Sequence, residues 1–318
     1  MNIPFCEKYR STSVNEILDH KNIIKTFKNL ISQKKFINSI FFGQPGTGKT
    51  SLITSCAKEI YGDKFKVMVL ELNGSDDRGI GTIRNIISDF AEYNQIFSKG
   101  SKLIILDEAD SMTYDAQFAL KRIMENYSKT TKFCLVCNYI YKIIPHLQSR
   151  CFIFRFPNIT PKFIKEKLMF ISKKEKINYT SEGLNVLINI SEGDMRKSIN
   201  LLHSLSLTTT IINKDNIYKY TGYILDGTID ELIDILIHLE FKEAFYKIKK
   251  IIKKNKICFI DFISNIYKFI DKLNLNNKQI SEFINNIAEI EYNLLNNASF
   301  DIQLGALIAS FFKLRYIK

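Results

Sequence analysis

The chain has 318 residues, of which 46% are apolar and 25% charged, values typical of a globular protein of two or three domains and not of a disordered chain. Its net charge of +12 is compatible with binding to a polyanion such as nucleic acid, although a general abundance of lysine offers another explanation. We expect no membrane span, because no run of about 18 apolar residues occurs, and the charged N-terminus argues against a secretory signal.

Residues 36–160 alternate short apolar runs with amphipathic stretches. The runs predict strands at 39–43, 66–72, 102–108, 132–138 and 151–156. Because they are nearly continuous, we expect these strands to be buried on both faces of a sheet. Helical patterns at 49–60, 82–96 and 113–127 separate the runs. Strand–helix–strand repetition predicts an α/β domain with a parallel sheet and right-handed crossovers.

The pattern changes after Pro157 and Pro161, where helical periodicity begins to dominate and continues towards the C-terminus. The tripeptide Thr221-Gly222-Tyr223 interrupts it. We therefore predict boundaries near 158 and 224. The chain would then hold an α/β domain at 1–158, a helical domain at 159–223 and an all-α domain at 224–318.

Six cysteines are scattered along the chain, too sparsely for a disulfide framework. Cys134 and Cys137 form a C-x-x-C pair, which can bind zinc or carry out redox chemistry. The pair lies inside an apolar run, however, and no second Cys or His pair follows. We favour two residues of a buried strand over a metal or redox site.

Residues 43–50 read Gly-Gln-Pro-Gly-Thr-Gly-Lys-Thr and match the phosphate-loop pattern G-x-x-x-x-G-K-[ST] in full. The match follows a predicted strand and opens a predicted helix, which is the context that the motif needs. Backbone N–H groups can close around phosphates, Lys49 can neutralise the outer phosphates, and the Thr50 hydroxyl can ligate Mg²⁺. The motif predicts ATP binding with Mg²⁺.

The second motif is acidic and reads Leu106-Asp107-Glu108-Ala109-Asp110, at the end of the apolar run at 102–108. Asp107 lies where a second Mg²⁺-organising carboxylate belongs, and Glu108 is the candidate to polarise the attacking water. Acidic residues after a strand are common. Combined with the phosphate loop upstream, they predict an ATPase.

The motifs GQPGTGKTS, LDEADSM, Ser149-Arg150-Cys151 and GDMRKSIN together resemble the small subunits of replication factor C, which are AAA+ clamp loaders. The resemblance extends from EKYR at 7–10 to the C-terminal segment. It implies a nucleotide-binding domain, a helical lid and an all-α collar. It also implies a nuclear ATPase in a hetero-pentamer with other replication factor C subunits, which opens the PCNA sliding clamp and loads it on primer–template DNA without sequence preference.

The resemblance implies individual roles as well. Asn138 matches sensor 1, and Arg196 in GDMR matches sensor 2, which reaches the phosphates from the lid. Arg150 matches the arginine finger that acts in trans on the ATP of a neighbouring subunit. The implied nucleotide contacts are Cys6, Arg10, Leu18, Gly43, Gln44, Pro45, Gly46, Thr47, Gly48, Lys49, Thr50, Ser51, Asn138 and Arg196.

The N-terminal motif departs from the family pattern Trp-Val-Glu-Lys-Tyr-Arg-Pro. Here it reads Phe5-Cys6-Glu7-Lys8-Tyr9-Arg10-Ser11. Phe5 keeps an aromatic anchor, whereas Ser11 loses the rigid turn of proline. These differences affect the details of packing beside the adenine.

The family also implies surfaces for DNA and for the clamp. Phosphate contacts match Arg78, Arg84 and the Lys121-Arg122 pair, although exposed helix charges are the alternative for the last two. The face that meets the clamp matches Ile96 and Phe97. An apolar pair beside a turn often marks an interaction surface, and a core plug under the turn is the alternative for Phe97.

Two other functions fit the ATPase motifs. A hexameric AAA+ DNA helicase of the branch-migration or fork-repair type shares the phosphate loop and the arginine finger, but lacks a helical collar. A purely structural subunit would bind nucleotide without hydrolysis, and the intact Lys49, Asp107, Glu108 and Asn138 argue against it.

Overall fold

The computed structural model describes residues 3–11, 13–16, 19–75, 80–92, 100–224, 226–255, 257–267, 270 and 276–316. It forms two compact units, residues 1–213 and 214–318. The boundaries that the sequence predicts, near 158 and 224, stay predictions.

A parallel five-stranded sheet forms the centre of the first unit, in the order β2-β3-β4-β1-β5. Its register places Phe41 opposite Val136 on one side and Phe154 on the other. The parallel α/β sheet expected from the sequence is therefore confirmed. The strands are β1 (Ser39–Gly43), β2 (Val69–Asn73), β3 (Lys102–Asp107), β4 (Thr131–Cys137) and β5 (Phe152–Phe156).

The three central strands are buried on both faces, because neighbouring residues of one strand point into two separate apolar cores. Phe41 packs into one core and Ile40 into the other. Cys134 and Cys137 are divided in the same way, so their thiols lie on opposite faces of the sheet. The two sulfurs cannot share a metal ion or a disulfide.

The two edge strands differ from the expectation of burial on both faces. Phe152 and Ile153 at the start of β5 are 63% and 46% exposed, because an edge strand lacks a neighbour on one side. Strand β2 begins at Val69 and not at residue 66, since residues 65–68 form a helical turn. The expectation was wrong at these positions.

Helices cover both faces of this sheet. Phe27 of α2 and Leu52 of α3 pack into one core, and Ile87 of α5 and Leu120 of α6 into the other. Thr113 caps α6 by accepting a hydrogen bond from the Ala116 N–H. The helices in this part are α1 (Phe5–Lys8), α2 (Lys21–Ser32), α3 (Lys49–Tyr61), α4 (Phe65–Met68), α5 (Ile80–Glu92), α6 (Tyr114–Asn126) and α7 (Pro145–Gln148).

A helical group follows β5 within the same unit. It contains α8 (Pro161–Lys174), α9 (Ser181–Ser191) and α10 (Met195–Thr208), and a two-residue ladder joins β6 (Asn178–Tyr179) to β7 (Ile211–Ile212). The N-terminal segment packs on this group, where the Phe5 ring stacks on His203 at 4.1 Å. The group borders the cavity described below.

The secondary-structure elements described in the second unit are all helices, as the sequence predicts. Its core is formed by apolar side chains such as Leu232, Ile248, Phe262, Ile287 and Leu307. None of the described helices is both long and apolar enough to cross a membrane. The helices are α11 (Lys214–Thr221), α12 (Asp226–His238), α13 (Phe241–Asn255), α14 (Phe259–Ile266), α15 (Asn277–Leu295) and α16 (Phe300–Tyr316).

Candidate functional site

The loop between β1 and α3 turns at three glycines. Gly43, Gly46 and Gly48 have φ angles of 150°, 69° and 93°, which residues with a side chain rarely adopt. A Cβ atom on Gly46 would lie 1.7 Å from Oδ1 of Asp194, and one on Gly43 would lie 2.1 Å from the carbonyl oxygen of Phe156. Both the turns and the close approach of these neighbours therefore require glycine.

Lys49 begins α3 and is only 7% exposed. Its ammonium group donates hydrogen bonds to the carbonyl oxygens of Gly43 and Gln44, both at 2.8 Å, and to Oδ1 of Asn138 at 3.1 Å. Burial lowers the pKa of Lys49, and the nearby Asp107 carboxylate acts in the opposite direction. The chain thus holds a buried cation beside the phosphate loop.

Thr50 and Asp107 join the loop to the end of β3. The Thr50 hydroxyl donates to Oδ2 of Asp107 at 2.8 Å, and the Glu108 N–H donates to the other carboxylate oxygen at 2.9 Å. Glu108 itself has a φ of 50° and is exposed. A hydroxyl and a carboxylate at hydrogen-bond distance form the hard oxygen donor set that Mg²⁺ prefers. These two residues therefore fit Mg²⁺.

Asn138 follows β4 and is held in place by Asp110. The Oδ2 atom of Asp110 accepts the backbone N–H groups of Asn138 at 3.2 Å and Tyr139 at 3.1 Å. This fixes the backbone from which the Asn138 side chain reaches Lys49. Asp110 belongs to the acidic motif of the sequence, but nothing in that motif indicates that its carboxylate holds the backbone at Asn138.

The start of α10 brings the second half of the unit to the same loop. Asp194 caps the helix by accepting the Lys197 N–H at 3.0 Å, and the Met195 N–H donates to the Gly46 carbonyl at 3.3 Å. Arg196 is exposed, and its positive charge acts on the Cys6 thiol. Burial raises the pKa of that thiol, and the Arg196 charge opposes the shift.

A cavity of about 310 Å³ lies over the phosphate loop. Asp107 and Glu108 line it. Gly43 and Gln44 do not line it, although their carbonyls accept hydrogen bonds from Lys49. Leu18 lies outside the described residues. The remaining predicted nucleotide contacts are all in the lining: Cys6, Arg10, Pro45, Gly46, Thr47, Gly48, Lys49, Thr50, Ser51, Asn138 and Arg196.

The cavity also has lining residues that the sequence did not indicate: Glu7, Tyr9, Ser11, Glu16, Ile159, Lys167, Met195 and Ile199. Ile159, Met195 and Ile199 supply an apolar wall, which suits a flat ring system such as a base. They belong to the helical group and the segment before it. The GDMR motif predicts that Arg196, the neighbour of Met195, lies at the phosphates, but no local pattern in the sequence singles out these three apolar residues.

Arg150 lies outside this cavity. It is exposed, forms an ion pair with Glu125, and donates a hydrogen bond to the His146 carbonyl at 2.8 Å. It is therefore not placed to contact a nucleotide in its own chain.

The residues expected to contact DNA and the clamp are only partly described. On α6, Lys121 is half-buried and Arg122 is exposed. Arg84 lies on α5, and its side chain is not described. Arg78, Ile96 and Phe97 lie outside the described residues, so the choice between core and clamp contact for Phe97 stays a prediction.

Two families of known proteins match separate parts of the chain. Residues 39–158 match the ATPase family associated with various cellular activities (AAA), and residues 224–310 match the replication factor C C-terminal domain. The first match contains the phosphate loop, Asp107 and Glu108. The second lies wholly within the helical unit.

Relatives match nearly the whole chain. Replication factor C subunit 5 of Homo sapiens is 40% identical over 98% of this chain and 92% of its own length. Replication factor C subunit 3 of Saccharomyces cerevisiae is 38% identical over 98% and 94%. Among solved structures, the RuvB Holliday junction branch migration motor of Thermotoga maritima has a TM-score of 0.55, 16% identity, and covers 76% of this chain and 85% of its own. That likeness is one of fold.

Proposed function

This chain belongs to the family of replication factor C subunits, and from that premise we propose how its cavity binds and hydrolyses ATP and which assembly the chain joins. The chain is an ATPase subunit of a multisubunit clamp loader. The hexameric helicase alternative is not supported, since the branch migration motor shares only the fold, whereas replication factor C relatives match 98% of the chain.

The proposal rests on four side chains that hydrogen-bond in two pairs at the floor of the cavity. Lys49 bonds to Asn138 and Thr50 bonds to Asp107, so the ends of β3 and β4 and the start of α3 converge on one point. We propose that the cavity binds ATP, with Lys49 against the outer phosphates. Thr50 and Asp107 would hold Mg²⁺, which when bound neutralises charge on the phosphate oxygens.

The residues around this floor would complete hydrolysis. Glu108 lines the cavity beside Asp107 and would orient the attacking water and take its proton. Asn138, whose backbone Asp110 fixes, would orient the same water from the other side. Arg196 would reach the phosphates from α10, so that nucleotide binding and the position of the helical group are linked.

Replacing Lys49 tests the site directly. A buried triphosphate without its main counter-charge binds poorly, so Lys49→Ala should lower ATP affinity of the isolated full chain at least about tenfold. Isothermal titration calorimetry measures the ATP affinity. Lys58→Ala is the matched control, because Lys58 is an exposed lysine of the same helix. Unchanged affinity in Lys49→Ala would refute ATP binding at this cavity.

Arg150 is proposed to act in trans. Its place outside its own cavity, on an exposed surface, supports a role at the ATP of a neighbouring subunit. There its guanidinium would stabilise charge on the transferring phosphoryl group. The ion pair with Glu125 would hold the side chain until a neighbour is present.

The wider assembly is also a proposal. We propose that the chain joins other replication factor C subunits in a hetero-pentamer in the nucleus, opens PCNA and loads it on primer–template DNA. The C-terminal domain match supports the assembly, and the exposed Arg122 on α6, beside Lys121, supports phosphate contact. Arg78 and Arg84 would contribute to the same DNA surface, and Ile96 and Phe97 to the clamp surface.

A further inference from the structure

Two carbonyl groups of the phosphate loop have partners from other parts of the chain. The Gly46 carbonyl accepts the Met195 N–H, and the Thr47 carbonyl lies 3.1 Å from Nε2 of His20. In a trans peptide unit the C=O and the following N–H point in opposite directions. A carbonyl held by His20 therefore turns the Gly48 N–H away from the imidazole. Gly48 lines the cavity and His20 does not.

His20 is itself fixed by its surroundings. The residue is 7% exposed, and its ring packs edge-to-face on Phe156 with centroids 5.0 Å apart. Asp19 and His20 both have positive φ angles, of 66° and 49°, a conformation that residues with a Cβ rarely adopt twice in succession. Backbone of this kind persists where tertiary contacts determine it.

The same turn also touches the segment that leads into α8. A carboxylate oxygen of Asp19 accepts the Thr160 N–H at 2.9 Å, while the His20 backbone carbonyl accepts the Ile24 N–H in the first turn of α2. One short turn thus contacts the phosphate loop, the start of α2 and the segment before α8. These contacts hold the imidazole at a defined distance from Thr47.

The protonation state of His20 follows from its neighbours. Nε2 faces a backbone carbonyl, which can only accept, so Nε2 carries the hydrogen. Burial lowers the pKa of His20, with the Thr47 carbonyl and the Asp19 carboxylate opposing the shift. The Phe156 ring, on which the imidazole packs, bears no charge. A neutral imidazole with its hydrogen on Nε2 satisfies all these contacts.

We propose that His20 is a positioning residue for the nucleotide, which orients the Thr47–Gly48 peptide so that its N–H faces the phosphates. This inference rests on the proposed ATP site. No phosphate contact is made by His20 itself; it acts through the loop. Phosphate-loop N–H groups of this kind contact the inner phosphates as well as the outer one, so ATP and ADP should depend on His20 alike.

Two substitutions separate positioning from packing. His20→Leu keeps the bulk and removes the donor, and should weaken ATP and ADP binding by the full chain about tenfold, the order expected for one buried hydrogen bond. His20→Gln restores an N–H donor and should bind within about twofold of wild type. His238→Leu is the control, because exposed His238 makes a similar contact with the Asp234 carbonyl in the second unit.

Wild-type affinity in His20→Leu, or an equal loss in His20→Leu and His20→Gln, would overturn the inference. Imidazole ¹⁵N NMR of the wild-type chain tests it even when His20→Leu does not fold, because a hydrogen on Nδ1 instead of Nε2 would contradict it. Lys49→Ala separates this outcome from the ATP proposal, since it tests the cavity independently of His20. If the wild-type chain bound neither ATP nor ADP, both the proposed function and this inference would fail.

Discussion

At the scale of single residues, the floor of the cavity is a set of polar groups that satisfy one another. Lys49 is buried, yet its ammonium meets two carbonyl oxygens and the Asn138 amide oxygen. A buried cation without such partners would strongly destabilise the fold. The same partners keep the lysine at the loop, so that it is in position before any phosphate arrives. Phosphate binding, as proposed, would then exchange the acceptors around Lys49 without a large movement of its side chain.

Glu108 provides a test of catalysis separate from binding. We expect Glu108→Gln to bind ATP normally, because Lys49, Thr50 and Asp107 stay in place. Hydrolysis in the reconstituted clamp loader should fall about 10²- to 10⁴-fold, the range for loss of a general base. Single-turnover hydrolysis measures the rate, and Kd for ATP is measured in parallel.

Glu182→Gln serves as the control for this variant, because Glu182 is an exposed acid on α9 away from the cavity lining. Hydrolysis at the wild-type rate in Glu108→Gln would show that another group activates the water. A large loss of ATP affinity would instead show that Glu108 contributes to ATP binding.

Some residues of the site could not be found from the sequence. Lys49, Thr50, Asp107 and Glu108 stand in motifs whose spacing is itself the signal. The support given by His20 and Asp110 depends on contacts with backbone groups 27 and 28 residues away along the chain. A backbone N–H or C=O has no identity in a sequence, so its partner becomes visible only when the strands and loops are placed.

At the scale of elements, the apolar runs predict where strands occur better than how they are buried. β1, β3 and β4 are central and covered on both faces, as predicted. The run at 151–156 is equally apolar, yet Phe152 and Ile153 are exposed at the sheet edge. Strand order decides this difference, and it is set by the crossovers and not by the composition of a strand.

The start of α10 offers a test at this scale. Asp194→Ala removes the side chain that caps the helix and should lower the free energy of unfolding by about 1 kcal/mol. Asp194→Asn retains an oxygen for the Lys197 N–H and should be nearly as stable as wild type. Urea denaturation compares the two. Equal stability of Asp194→Ala and wild type would contradict a capping role for Asp194.

At the scale of the whole molecule, the proposed trans action of Arg150 implies that the site is complete only with a neighbour. We expect Arg150→Ala to leave ATP affinity of its own chain unchanged and to slow hydrolysis on the adjacent subunit about 10³- to 10⁵-fold, the range for an arginine finger. Clamp loaders are reconstituted with the Arg150→Ala subunit or with the Arg150→Ala, Glu108→Gln double variant. The second substitution silences the chain's own site, so a defect that Arg150→Ala still adds is assigned to the neighbour.

Glu125→Gln is the matched control, because it breaks the same exposed ion pair and leaves the guanidinium in place. It should hydrolyse ATP at about the wild-type rate. A defect of Arg150→Ala at its own cavity would show that the finger acts within its own chain.

The position of Arg150 also bears on how the protein behaves before it finds its partners. The guanidinium lies on an exposed surface, paired with Glu125 and away from its own cavity. If it acts in trans as proposed, a newly made subunit can load its nucleotide and keep it intact, because the group that accelerates cleavage arrives only with another chain. Turnover then starts when the ring is assembled, and ATP consumption becomes a direct readout of assembly.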